Sequence, residues 1–134
     1  MLLLLLSFFK LQKEIFYEQE KKPLPYLIRM MNCILHDILT PNIVRKNTLE
    51  EDVRNIPETY RYDVILTNLP FGGKEGKQVQ QNYPIKSNAT ELLALQYVIK
   101  KLRKEGRCRI VVSEGVLFRG DAFAKVKKRA VRKL

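Results

Sequence analysis

The sequence has 134 residues and a formal net charge of +11, with 46% hydrophobic and 29% charged positions. That length bounds the chain to one domain, and the composition excludes wholesale disorder, collagen-like repeats and coiled coils. Up to Thr67 nine Lys/Arg face nine Asp/Glu, whereas from Asn68 onward sixteen face five. A half-molecule field of that sign attracts polyanions, of which nucleic acid is the commonest, although a partnerless basic surface fits composition equally well.

Met1 to Phe9 is almost wholly apolar. It lacks a basic stretch before the leucines and a small-residue cleavage site after them, and it is too short to span a bilayer. It therefore reads as a buried segment, with no membrane role. Leu2 to Lys13 is expected as a helix and Ile15 to Tyr17 as a short strand. From Pro23 to Ile38, Leu24, Leu27, Ile28, Met31, Ile34, Leu35 and Ile38 recur at helical spacing. This predicts an amphipathic helix with proline in its first turn, stopped by Thr40–Pro41–Asn42. Ile43–Val44 suggests a brief strand. Asp63 to Thr67 is a continuous apolar run, the pattern of a strand covered on both faces.

Gly72 to Asn88 is polar and lacks periodicity. Leu92, Leu95, Ile99 and Leu102 mark a second helix, capped by Asn88 or Thr90 and ended by Gly106. Arg109 to Val112 is another buried-strand run, and a basic helix over Ala122 to Leu134 closes the chain. Its cluster of Lys125, Lys127, Lys128, Arg129, Arg132 and Lys133 reads as a solvated face. The alternation of strand and helix implies an α/β fold with a mainly parallel sheet. Cys33 and Cys108 form no CxxC and no cluster with His36, the one histidine, so neither a metal site nor a disulfide is indicated. A reduced, cytoplasmic setting follows. His36, among apolar helix neighbours, reads as structural.

Ligands of open α/β sheets bind beyond the carboxyl ends of the strands, which singles out the loops after Glu20 and after Thr67. In the second, a strand delivers Asn68–Leu69–Pro70–Phe71–Gly72–Gly73 in one tight turn. The Asn68 amide oxygen and the Leu69 carbonyl can both accept from an exocyclic amine, and Phe71 offers a face for stacking. Taken alone, the same residues also fit a capped strand end with Phe71 in the core.

The surrounding motifs resemble the DNA amino-methyltransferases, in particular the methylation subunit of type I restriction-modification systems. That family carries Asn-Pro-Pro-Phe/Tyr after a buried strand, often continuing Gly-Gly-Lys-Glu, and this chain has Asn68–Leu69–Pro70–Phe71–Gly72–Gly73–Lys74–Glu75. Gln19–Glu20–Lys21–Lys22–Pro23, Met31 to His36, Asn47–Thr48–Leu49, Asn88 to Leu93 and Glu114 to Arg119 match further motifs in order. The resemblance covers positions 16–134, with 1–15 divergent, and implies one partial catalytic domain of Rossmann-like fold lacking its first strand. It implies N6-adenine methylation of double-stranded DNA from S-adenosylmethionine, alongside specificity and restriction subunits. Asn68, Leu69, Pro70 and Phe71 would form the catalytic turn. Glu20 would take the cofactor's ribose hydroxyls and Asn47 its adenine. Gly72, Gly73, Lys74 and Lys77 would head a DNA-facing loop that closes over DNA or cofactor.

The chain departs from that pattern in three ways. Leu69 stands where the family has a proline, so the turn is expected to lose preorganisation, and Leu69→Pro in a full-length context is expected to raise methylation. No glycine precedes Gly72, so the glycine-rich cofactor turn is missing. There is also no target-recognition region. A fragment that alone neither binds S-adenosylmethionine tightly nor methylates DNA is the resulting expectation. Two other classes stay open: a methyltransferase acting on RNA adenine or protein glutamine, and a non-enzymatic basic remnant that binds nucleic acid or a partner subunit.

Overall fold

Two strand–helix–strand units organise the described residues, and each follows from local sequence. A computed structural model describes residues 15–118, 120, 123–126 and 128. The chain divides into two compact units, residues 1–48 and 49–134.

In the first unit, β1 (Glu18–Glu20) leads into helix α1 (Pro23–Leu35) and returns as β2 (Ile43–Arg45). The strands pair in parallel, with Glu18 opposite Ile43 and Glu20 opposite Arg45. The strand expected over Ile15–Tyr17 is therefore corrected: it forms three residues later, at Glu18–Glu20, because that is where the backbone finds the partner β2. Pro23 occupies the first turn of α1, where its missing N–H costs nothing. The helix ends earlier than Thr40–Pro41–Asn42. Asp37 turns to φ 60, the Ile38 N–H donates to the Cys33 carbonyl at 2.9 Å, and the Asp37 N–H donates to that of Ile34 at 3.0 Å. This Schellman closure caps the carbonyls of the last turn, so the helix stops itself.

In the second unit, β3 (Tyr62–Asn68), short helix α2 (Lys77–Gln80), α3 (Thr90–Lys101), β4 (Leu102–Val111) and α4 (Glu114–Phe118) follow in order. β3 and β4 pair in parallel with Asn68 opposite Val111. Nine of the twelve residues of α3 are buried, so this helix forms the centre of the unit. Leu93, Ala94 and Tyr97 pack with Leu49, Val53, Ile56, Leu69 and Tyr83, while Leu92 packs with Val116, Phe123 and Val126. Each such Leu or Val contributes about 1.5–3 kcal/mol through burial. Lys101 is also buried. It pairs with Glu51, which accepts from the Tyr97 hydroxyl at 3.1 Å, and its ammonium lies over the rings of Tyr62 and Tyr97. The buried cation is therefore compensated on several sides.

All strand pairing among the described residues is parallel, as expected of an α/β fold. It forms two two-stranded ladders rather than one sheet. Three further expectations need correction. The cap of α3 is Ala89, with no side-chain cap bond, and Thr90 lies inside the helix. Gly106 lies within β4 instead of ending α3, which passes into β4 at Leu102. There a Cβ would meet the Arg103 carbonyl and the Leu102 side chain at 3.0 Å. Finally, neither strand run is covered on both faces: Val64, Leu66 and Val111 are 50%, 53% and 57% exposed. An apolar run shows that a strand is poor in charge, not that both its faces have neighbours.

The expected helix over Leu2–Lys13 and the apolar Met1–Phe9 lie outside the described residues. Of the basic terminal helix, positions 123–126 and 128 are described and helical, with Lys125 and Lys128 both exposed, whereas Lys127, Arg129, Arg132 and Lys133 lie outside.

Candidate active site

The turn after β3 is fixed from both sides. Asn68 is the last strand residue, and the Leu69 N–H donates to the Val111 carbonyl at 3.0 Å, carrying the ladder one bond further. The Leu69 side chain is 3% exposed and packs in the core, whereas Asn68 is exposed and Phe71 is 66% exposed. Phe71 is thus not a core residue. Among the described residues the Asn68 carboxamide has no hydrogen-bond partner. An amide oxygen, an adjacent carbonyl and a free aromatic face are the groups needed to accept from and stack on a planar amine.

The Leu69 N–H bears directly on the expectation of lost preorganisation. A proline there has no N–H and would leave the Val111 carbonyl without its donor. The hydrogen bond and the buried side chain hold this turn in place of a fixed φ.

Gly72 and Gly73 follow at φ 72 and 95, a region that suits glycine. The Gly73 carbonyl accepts from the Thr90 N–H at 3.3 Å, and a Cβ at Gly73 would sit 3.0 Å from Thr90 Oγ1. The Gly72 N–H donates at 3.2 Å to Glu91 Oε1, which accepts the Ser113 hydroxyl at 2.8 Å. Sequence reasoning did not single out Glu91 or Ser113. Two signals were available: Glu91 lies within the family-like stretch Asn88 to Leu93, and it is an acid in the first turn of a helix, which also suits the helix dipole alone.

The segment from Gly72 to Asn88 has more structure than its composition suggests. Lys74 bridges to Ala89, the Glu75 N–H donates to the Asn88 carbonyl at 2.9 Å, and Gln80 Nε2 donates to the Glu75 carbonyl at 2.8 Å. Gln96 of α3 accepts from the Ile85 N–H at 2.9 Å and donates to the Ile85 carbonyl at 2.8 Å. Tyr83 is buried and donates to the Leu49 carbonyl at 3.2 Å; burial drives its hydroxyl pKa well above the ordinary range. Lys74 and Lys77 remain exposed on this tethered frame.

In the other unit, Glu20 ends β1 and Asn47 lies two residues beyond β2, so both stand at the carboxyl end of that parallel ladder. Glu20 Oε1 accepts from the Lys22 N–H at 2.8 Å, which braces the entry into α1. Nearby Glu18 pairs with Arg29, yet burial still raises its pKa. His36 caps the end of α1 and is exposed. Cys33 and Cys108 are free and half-buried, with burial raising both thiols. Among the described residues no cluster could hold a metal, and no helix is long and apolar enough to cross a membrane.

Parallel α/β units with an Asn-x-Pro-aromatic turn at a strand's carboxyl end have the build of S-adenosylmethionine-dependent methyltransferases. Comparison with known proteins agrees. The family model for N-6 DNA Methylase matches residues 5–134, and the chain belongs to that family. It is 39% identical over 121 residues to the methylase subunit of the type I restriction enzyme EcoEI from Escherichia coli, covering 88% of this chain and 24% of that subunit. The StySPI methylase subunit of Salmonella potsdam is 31% identical over 121 residues, covering 87% and 22%. Among solved structures, a chain from work on assembly and conformational transition of a type I R-M system superposes with TM-score 0.83 at 54% identity, covering 89% and 24%. The EcoKI M protein superposes with TM-score 0.69 at 30% identity, covering 84% and 24%. The chain therefore spans about a quarter of the length of these relatives.

Proposed function

We propose that this chain carries the adenine-receiving part of a type I DNA methyltransferase, which methylates the N6 amine of adenine in double-stranded DNA. The observation that carries the reading is the turn at Asn68–Phe71: an exposed carboxamide, an adjacent carbonyl and an exposed ring on a backbone held by β4 and α3. The N6 lone pair is conjugated into the base and nucleophilically weak. Accepting its hydrogens on Asn68 Oδ1 and the Leu69 carbonyl favours a pyramidal nitrogen, so these residues act by positioning and electrostatics. Phe71 stacks on a base that has left the duplex. Exposed Lys74 and Lys77 take phosphates, which position DNA without reading sequence.

S-adenosylmethionine supplies the methyl group when bound. Glu20 would hold its ribose, and Asn47 would contact its adenine. These two residues fit that half of the cofactor. The glycine-free stretch before Gly72 offers no cradle for the methionine half, so the 134 residues alone bind the cofactor weakly. The partners are the specificity and restriction subunits of a type I system, in a reducing cytoplasm.

The test uses the side-chain amide resonance of Asn68 in the isotopically labelled chain. 9-Methyladenine is expected to shift it, while N6,N6-dimethyl-9-methyladenine, which has no N6 hydrogens to donate, is expected to leave it in place. An equal response to both would overturn the proposed amine contact.

A further inference from the structure

The geometry points to Glu91 as a positioning residue that holds the Asn68–Phe71 turn in register, an inference resting on the reading that this turn receives adenine. Glu91 lies in the first turn of α3 and is 7% exposed. A carboxylate so buried is costly unless donors satisfy it. Here Oε1 alone takes two, the Gly72 N–H and the Ser113 hydroxyl, from segments nineteen and twenty-two residues away. An acid serving only the helix dipole would need neither.

The two donors belong to the ends of the neighbouring strands. Gly72 directly follows Phe71, and Ser113 lies two residues beyond Val111, whose carbonyl holds the Leu69 N–H. Leu69, Val111, Ser113, Glu91 and Gly72 thus close a ring around the turn, through one ladder bond and two bonds to a single oxygen. The adjacent Thr90 N–H fixes the Gly73 carbonyl beside it. Without this anchor, two glycines at positive φ would let the Phe71 backbone swing away from Asn68. Glu91 touches no substrate. It sets where the groups that do so stand.

The variants Glu91→Gln, Glu91→Leu and Ser113→Ala of the whole chain test this. Two readouts are followed: hydrogen exchange of the Gly72 amide, and the response of the Asn68 side chain to 9-methyladenine. Gln keeps a carbonyl oxygen with two lone pairs, so E91Q should retain both Gly72 protection and the adenine response. Leu offers no acceptor, so Gly72 should exchange about tenfold faster, the effect of losing one hydrogen bond of ordinary strength, and the adenine response should fall severalfold. The amides of Tyr97 and Val98 report whether α3 is intact. If E91L loses them too, S113A decides, because it opens the ring and leaves the helix start untouched. A severalfold weaker adenine response in S113A supports the assignment, and an unchanged one overturns it. An E91L protein with intact α3 and unaltered Gly72 exchange also overturns it, as does an E91Q protein as defective as E91L. Should the wild-type chain ignore 9-methyladenine, the adenine reading fails, while Gly72 exchange still decides whether the clamp exists.

Discussion

Leu69 does two jobs that its sequence neighbours do not reveal. Its N–H extends the β3–β4 ladder to Val111, and its side chain fills the core beside α3. Leu69→Pro would remove a buried leucine and leave a carbonyl without its donor, so it should cost at least ~2 kcal/mol of stability. A lowered denaturation midpoint with unchanged slope would show this. An unchanged midpoint would restore the view that proline preorganises this turn. The same residue shows how a motif can be legible while its energetics are not. Asn68, Pro70 and Phe71 stand out in sequence because their chemistry is unusual at a strand end. Leu69 looks like a mere departure until the strand forty-two residues later is seen to hold it.

At the scale of elements, α3 organises the second unit. Gln96 clamps the Ile85 peptide through both its N–H and its carbonyl. Gln96→Ala should destabilise the unit by about 1 kcal/mol, since two part-buried backbone groups of Ile85 lose their partners. Hydrogen exchange at Ile85 should rise with it, while Gly72, held by Glu91, should be spared. Equal loosening at both sites would mean the loop and the turn move as one body. The strands β2 and β3 and the spacing of α1 and α3 were legible because periodicity reports which residues are apolar, whereas β1, formed by the polar Glu18–Glu20, was not. Three further features were not: the early stop at Asp37, the passage of α3 into β4 at Leu102, and the open face bearing Val64, Leu66 and Val111. Each depends on a backbone angle or a neighbour in space, and a one-dimensional pattern encodes neither. Glu91 escaped for the same reason, since its two donors come from distant segments.

For the whole molecule, the charge asymmetry becomes a measurable statement. If the basic half meets DNA, the logarithm of affinity should fall linearly with the logarithm of salt concentration. Each phosphate contact contributes a slope of about −0.9 on duplex DNA. Lys74→Ala and Lys77→Ala together should flatten that slope by about 2 while weakening all sequences alike. A slope unaltered by both changes would place the phosphate contacts elsewhere on the basic half.

The parallel pairing also imposes an order in time. A hairpin can settle as soon as it is synthesised, but β3 must wait for a strand on the far side of α3. The Leu69 amide has no ladder partner until Val111 exists, forty-two residues later, which at about 5–20 residues per second is roughly 2–8 s of synthesis. During that interval Asn68 and Phe71 belong to an unpaired strand end. The groups proposed to receive adenine therefore acquire their native geometry only after β4 has been made.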